Sequence, residues 1–190
     1  LMRLFGRFLE QRAVTYQQVW ASDSDWDHGG TWAGKAVTRD TMLGLSAVFA
    51  CIRFIVDAVS TLPVHDYGPE GEAPDQPDWL ERPIPRDPST TLVVHLQQLV
   101  SSLLIEGNSF TFADPDVYTP AEIRVLDPRQ VTIRRASDGM PLYCVRGQAG
   151  REEEYDWTQI IHIPLIRLPG ELRGLAPLEA ERQTFSSAIA

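Results

Sequence analysis

Cysteine is scarce in this chain: Cys51 and Cys144 are the two it has in 190 residues. Two cannot make a disulfide framework, and a reducing compartment with unpaired thiols is expected. Positive charge is short as well. The 17 Lys and Arg face 26 Asp and Glu, for a formal net charge of −9. Tight binding through nucleic-acid phosphates needs clustered cations, so that class is disfavoured. A wall past which DNA slides remains compatible with the balance. No membrane span is expected, because the most apolar stretch, Leu43 to Pro63, is broken by Arg53 and Asp57 and falls short of roughly 20 residues. Met2 to Arg12 has arginines but no continuous apolar core of a signal peptide. The four histidines, His28, His65, His95 and His162, are scattered without ligand spacing, so no metal site is expected. Neither G-x-S-x-G nor H-E-x-x-H occurs.

What is present begins with Leu43 to Pro63, the stretch around which the rest is organised. Ser46 is placed to cap a helix. Val48, Ile52, Ile55, Val56 and Val59 follow at spacings of three and four. Phe49 and Phe54 widen that stripe until the segment is apolar nearly all round, which predicts a core helix over 46–61 buried on more than one side. Cys51, inside it, reads as a small buried hydrophobe. Arg53 and Asp57, four apart, can pair on one face. Pro63 ends the run by disfavouring helix at Leu62.

Ahead of it, Leu1, Leu4, Phe5, Phe8 and Leu9 share one face of a short amphipathic helix, with Arg3, Arg7 and Arg12 elsewhere. Ser22 to Gly34 is acidic and glycine-rich, contains Trp26 and Trp32, and reads as an extended arm. Residues 1–40 are therefore an N-terminal arm and 41–190 the body. The arm's apolar face is too small to fold alone, and its aromatics suit anchors for a partner. Phe5, Phe8, Trp26 and Trp32 are the candidate contacts to a neighbouring subunit or another protein. The chain opens on Leu1 before Met2 and stops at Ala190 within a helical pattern, as a fragment would.

After the core helix, Pro63 to Tyr67 reads as a strand. Gly68 to Pro88 holds six prolines among acidic residues and predicts irregular structure, with one helical turn near Trp79–Leu80. Ser89 or Thr90 then caps a second helix, 90–106, with Leu92, Leu96, Leu99, Leu103 and Leu104 as its buried face and Gly107 as its terminator. From Asn108 the period becomes two. Strands are expected at 109–113, 121–126, 131–135, 142–146 and 159–163, in a meander or small barrel. Turns are placed between them, including Gly147 to Glu154, where Glu152-Glu153-Glu154 reads as a solvated tip. Pro177 opens a last helix through Leu178, Glu179, Arg182 and Phe185.

Two catalytic readings fail on context. Gly29 to Ala36 nearly matches a phosphate loop, but Ala36 replaces the hydroxyl that binds magnesium and the preceding residues are acidic rather than a buried strand. Cys51 with His95 or His162 could form a thiolate and base, but an apolar helix raises a thiol pKa, the wrong direction for reactivity.

The ordered features resemble phage portal proteins of the HK97-like family. The matching blocks are Leu45–Arg53 running on through Ser60-Thr61-Leu62-Pro63, then Glu106–Phe110, Leu126–Val131, Ile160–Ile163 and Gly174–Ala180. Their order and spacing carry the resemblance, over roughly Thr41 to Ala190. One residue departs: Ala176 stands where the family usually has Ser before the proline, losing about 1 kcal/mol of capping.

The resemblance implies an α+β portal wing domain, with two core helices on a small, mostly antiparallel sheet or barrel and the start of a linking helix. The stem, clip and channel-lining segments would follow Ala190. It implies no enzymatic activity and no cofactor. It implies a ring, typically a dodecamer, at one vertex of the virion head, assembled in host cytoplasm. DNA would be packaged and ejected through the ring. Major capsid protein, terminase and a head–tail adaptor would be its partners, with no membrane. The alternatives are another virion structural or binding module, or a cytosolic cysteine-dependent or nucleotide-binding enzyme.

Overall fold

Helical spacing dominates the first half of the body and a period of two the second. A computed structural model describes residues 38–69, 71–73, 75–113, 122–147 and 150–181. Arg39–Glu181 form one compact unit. The arm with Phe5, Phe8, Trp26 and Trp32, the Gly29–Ala36 stretch and the helix expected beyond Glu181 lie outside the described residues.

Helix α1 is Arg39–Leu43 and α2 is Ser46–Ser60. Ser46 is the first helical residue rather than the cap; Leu45 occupies that position without a side-chain hydrogen bond. At the other end the Thr61 hydroxyl donates to the Asp57 carbonyl at 3.0 Å, closing a free carbonyl before Pro63. The strand expected at 63–67 is instead a two-residue hairpin arm, β1 (Tyr67–Gly68), paired with β2 (Gly71–Glu72). Regular pairing thus reaches into the proline-rich segment. Gln76 steadies the hairpin's base through Asp66 and Ala73. The turn at Trp79 is helix α3, Asp78–Glu81. It buries Leu80, and nearby the Pro83 carbonyl accepts from Ile123 N at 2.7 Å.

Helix α4 is Leu92–Glu106. Its cap is Thr91, whose hydroxyl accepts from Val94 N at 3.4 Å, not Ser89 or Thr90. Those two are held by the Asp87 carboxylate. The buried side chains of α4 are His95, Val100 and Glu106, while its leucines are half-buried. The helix lies between α2 on one side and a sheet on the other, so its burial is shared over several faces rather than concentrated on a leucine stripe.

Strand β3 is Asn108–Ala113, β4 Ile123–Leu126, β5 Val131–Arg135, β6 Pro141–Arg146, β7 Glu152–Tyr155 and β8 Ile160–Pro164. A short helix, α5, spans Pro177–Ala180. The strands form two antiparallel sheets, ordered β4-β3-β8 and β5-β6-β7, rather than one closed barrel. The acidic segment 152–154 is a strand and not a turn. Its carboxylates line an edge, where charge discourages pairing with another chain. Phe110, Val131, Tyr143, Val145 and Ile160 make the buried core between the sheets, joined by Phe112, Leu126, Ile133 and Tyr155. Phe110 is fully buried and meets Tyr143 edge-on at 6.0 Å between ring centroids, a preferred aromatic geometry.

Helix α2 departs most from expectation. Only Val56 and Ser60 are buried, and Cys51 is exposed. Phe49, Phe54, Ile55 and Val59 are exposed too. The helix rests on α4 through one stripe, and its remaining apolar faces have no cover within the described residues.

Candidate functional site

Blocks far apart in the sequence converge where α4 ends. Gly107 adopts the left-handed conformation, φ 66°, which glycine tolerates and other residues resist. A Cβ there would also strike the Leu175 carbonyl. Gly174 sits against the Gly107 carbonyl with the same restriction. Between them, Asn108 uses every hydrogen-bonding position of its side-chain amide. Its Nδ2 donates to the carbonyls of Glu106 and Gly174, both at 2.9 Å. Its Oδ1 accepts from Gly174 N at 2.6 Å and from His162 Nε2 at 3.1 Å. The acceptor on the asparagine side places the imidazole proton on Nε2. Arg173 extends the lock: its guanidinium donates to the carbonyls of Val131 at 2.7 Å and Pro128 at 3.1 Å and lies 5.4 Å over the Phe110 ring. One buried node therefore ties both sheets, the end of α4 and the loop leading to α5.

His162 stacks on Phe110 at 4.4 Å. Burial, helped by the charges of Arg173 and Arg167, pushes its pKa down to about 4. It is held neutral as a structural ring. His95 is also pushed down by burial, and its Nδ1 has no hydrogen-bond partner. No hydrogen bond joins Cys51 to His95 or His162 among the described residues, so the thiolate–base pair is not assembled. Cys144 is buried beneath the second sheet's Glu154, with burial raising its thiol pKa. His65 pairs with Glu72 at 2.7 Å. Among the described residues, no cluster of His, Cys, Asp or Glu could hold a metal ion, and no helix is long and apolar enough to cross a membrane.

Next to the node, Arg39 reaches the buried Glu106 carboxylate at 2.8 Å. Beyond them a cleft of about 220 Å³ runs between α4 and the turn at Asp127–Arg129. Burial works against the Asp127 carboxylate, yet hydrogen bonds and charge from Arg129, with Arg39 behind, hold its pKa below the usual range. Every cation here is matched by a carboxylate.

The other notable surface is the outward side of α2. At 100° per residue, Ala47, Cys51, Phe54 and Ala58 lie opposite Val56 and Ser60, and all four are exposed. Phe54 is 76% exposed. Charge appears only on the flank, where Arg53 and Asp57 pair at 3.3 Å. The sequence marked this helix correctly and assigned its faces wrongly. It gave Asn108 a place in a block but not the role of node, and it said nothing of Arg173. The available signal was Asn-Ser at a strand start, a poor β former that needs a local reason.

The chain matches the family described as phage portal protein over residues 46–190. A curated relative, the "Probable portal protein" of Streptomyces phage phiC31, is 29% identical over 170 residues, which cover 83% of this chain and 37% of the relative. The chain thus spans well under half of that relative's length. Among solved structures, a chain in the neck of an empty GTA particle computed with C6 symmetry superposes with a TM-score of 0.67 at 24% identity, covering 79% of this chain and 42% of that one. A chain in the neck of the native GTA particle computed with C12 symmetry gives 0.62 at 22% identity, covering 80% and 43%. Both share the fold.

Proposed function

The chain belongs to the phage portal protein family, and we propose that it forms the wing of a portal subunit. Twelve such subunits make a ring at one vertex of the virion head, through which double-stranded DNA is packaged and later ejected. Capsid protein, terminase and a head–tail adaptor dock on that ring in turn. The role is structural, without catalysis. The observation that carries this reading is the family match from Ser46 onward, whose later blocks, around Asn108, Pro128–Val131, His162 and Gly174, meet in one node. A buried lock of that kind suits a rigid building block that must hold its shape while DNA and motor pull on its neighbours. The chain's net charge of −9 suits a conduit, since a wall that gripped phosphates would slow passage.

Electron microscopy of the full-length protein tests this. A closed ring with an axial channel and about twelve subunits supports the reading; monomers or two-fold dimers without a channel reject it. Within this proposal the arm, through Phe5, Phe8, Trp26 and Trp32, binds a neighbouring subunit or capsid protein. Deleting residues 1–37 from the full-length protein should weaken ring formation or head incorporation. Unchanged assembly with a lowered melting temperature would place the arm on its own domain instead.

A further inference from the structure

We infer that the outward face of α2 is a ring interface, covered by a second copy of the chain and built around Phe54. This rests on the portal reading above and names the surface through which subunits meet.

The first argument is area. Phe54 is 76% exposed, and Ile55, Val59 and Leu62 are exposed on the outward half of the helix with it, whereas Phe49 falls in line with Val56 and Ser60. Together they present on the order of 400 Å² of apolar surface, about half of the ~800 Å² that each partner gives a standard interface. A patch of that size is among the largest a monomer carries, and such patches are often functional. The second argument is relief. Phe54 rises from Ala50, Cys51 and Ala58, its neighbours one turn away. A large aromatic among small residues lets a partner approach closely and enclose one anchor, the pattern of an interface hot spot. On the other side of the helix, toward α4, a groove of about 560 Å³ is lined by Leu43, Phe49, Ile52, Val56 and Ile105 together with Asp40, Arg53 and Asp57, and it is not part of this face.

The third argument, charge, selects the occupant. The 190 residues carry −9, so copies repel one another across this region, which favours contact through a face without acidic excess. This face has none, since Arg53 and Asp57 neutralise each other on its flank. A lipid surface or nucleic acid would require flanking cations, and Arg53 is already engaged. A ring contact is heterologous, so α2 need not meet its own equivalent on the next subunit.

The chain carries its own reporter, because Cys51 lies on this face while Cys144 is buried. In full-length protein, maleimide labelling followed by peptide mapping should modify Cys51 in dissociated subunits and slow by at least about tenfold in the ring, as water is excluded around an anchor. Phe54→Glu should leave the subunit folded by circular dichroism, because the side chain is exposed, and reduce the assembled fraction by at least about tenfold, as loss of one anchor predicts. A wild-type ring with freely reactive Cys51, or an F54E ring formed as readily as wild type, would overturn this inference and leave the portal reading standing. Protection of Cys51 already in the dissociated subunit would overturn it in favour of cover from the same chain. A wild-type protein that forms no ring would end both.

Discussion

The two halves of the domain solve the burial problem differently. Between the sheets, Phe110, Val131 and Tyr143 are closed off from water, and the two polar side chains that tie that region together are paired: Asn108 makes four hydrogen bonds and Arg173 holds two carbonyls. On the helical side, α2 is as apolar in sequence as any core element, yet it buries two residues. The sheet half is complete within one chain. The helical half is finished only when something packs on α2. Stability and assembly are therefore assigned to different residues, and substitutions should separate them.

The largest effect should come from the sheet half. Phe110→Ala removes a fully buried ring and leaves a cavity, so it should lower unfolding free energy by about 4 kcal/mol, measured by urea titration of dissociated subunits. Close behind, Asn108→Ala strands the carbonyls of Glu106 and Gly174 and the Gly174 amide. A loss of about 3 kcal/mol is expected, with the loop to α5 losing protection in hydrogen exchange before the sheets do. A loss under about 1 kcal/mol would mean that the node is solvated and not a lock.

Acid should act next. His162 has its pKa depressed to about 4 in the folded state, against an ordinary value near 6.5. Between those values the unfolded chain binds the proton and the folded one does not, so stability rises with pH across that window. The contribution is complete above about pH 6.5 and is lost as pH falls toward 4. The ring is half-buried, so a loss of about 2 kcal/mol is expected after discounting for solvent. His95 adds in the same direction. His162→Gln should flatten the profile between pH 6.5 and 4; an unchanged profile would assign the acid sensitivity elsewhere.

The smallest effect should come from α2. Phe54→Ala should change the stability of dissociated subunits by less than about 0.5 kcal/mol, and Arg53→Ala by less than about 0.5 kcal/mol, because exposed pairs contribute little. A large loss from Phe54→Ala would erase the contrast between the halves.

These contrasts show what the sequence could and could not carry. Element type was legible where the period was strong. Both long helices, the terminating Gly107 and five of the body's strands fell close to their expected places, since side-chain spacing and glycine's left-handed freedom are local properties. Caps were less legible: Leu45 and Thr91 took positions expected for Ser46 and for Ser89 or Thr90, because at α2 the one nearby hydroxyl, Ser46, falls inside the helix, and at α4 three hydroxyls, Ser89, Thr90 and Thr91, adjoin the boundary. The hairpin at Tyr67 and the strand Glu152–Tyr155 were hidden by residues that usually mark turns, and their pairing comes from a neighbouring strand. The exposure of Cys51 and Phe54 could not be read at all. An apolar helix has the same sequence whether its second partner belongs to its own chain or to another. The node was half visible: its blocks were found, but that Asn108, His162 and Gly174 meet is a fact of topology.

Hydrogen exchange on the full-length protein, compared between the ring and dissociated subunits, tests the division most directly. Amides of β3 and β6 should exchange slowly in both states, while those of α2 should exchange slowly only in the ring. An α2 as protected as β3 in dissociated subunits, or unprotected in both states, would contradict the account.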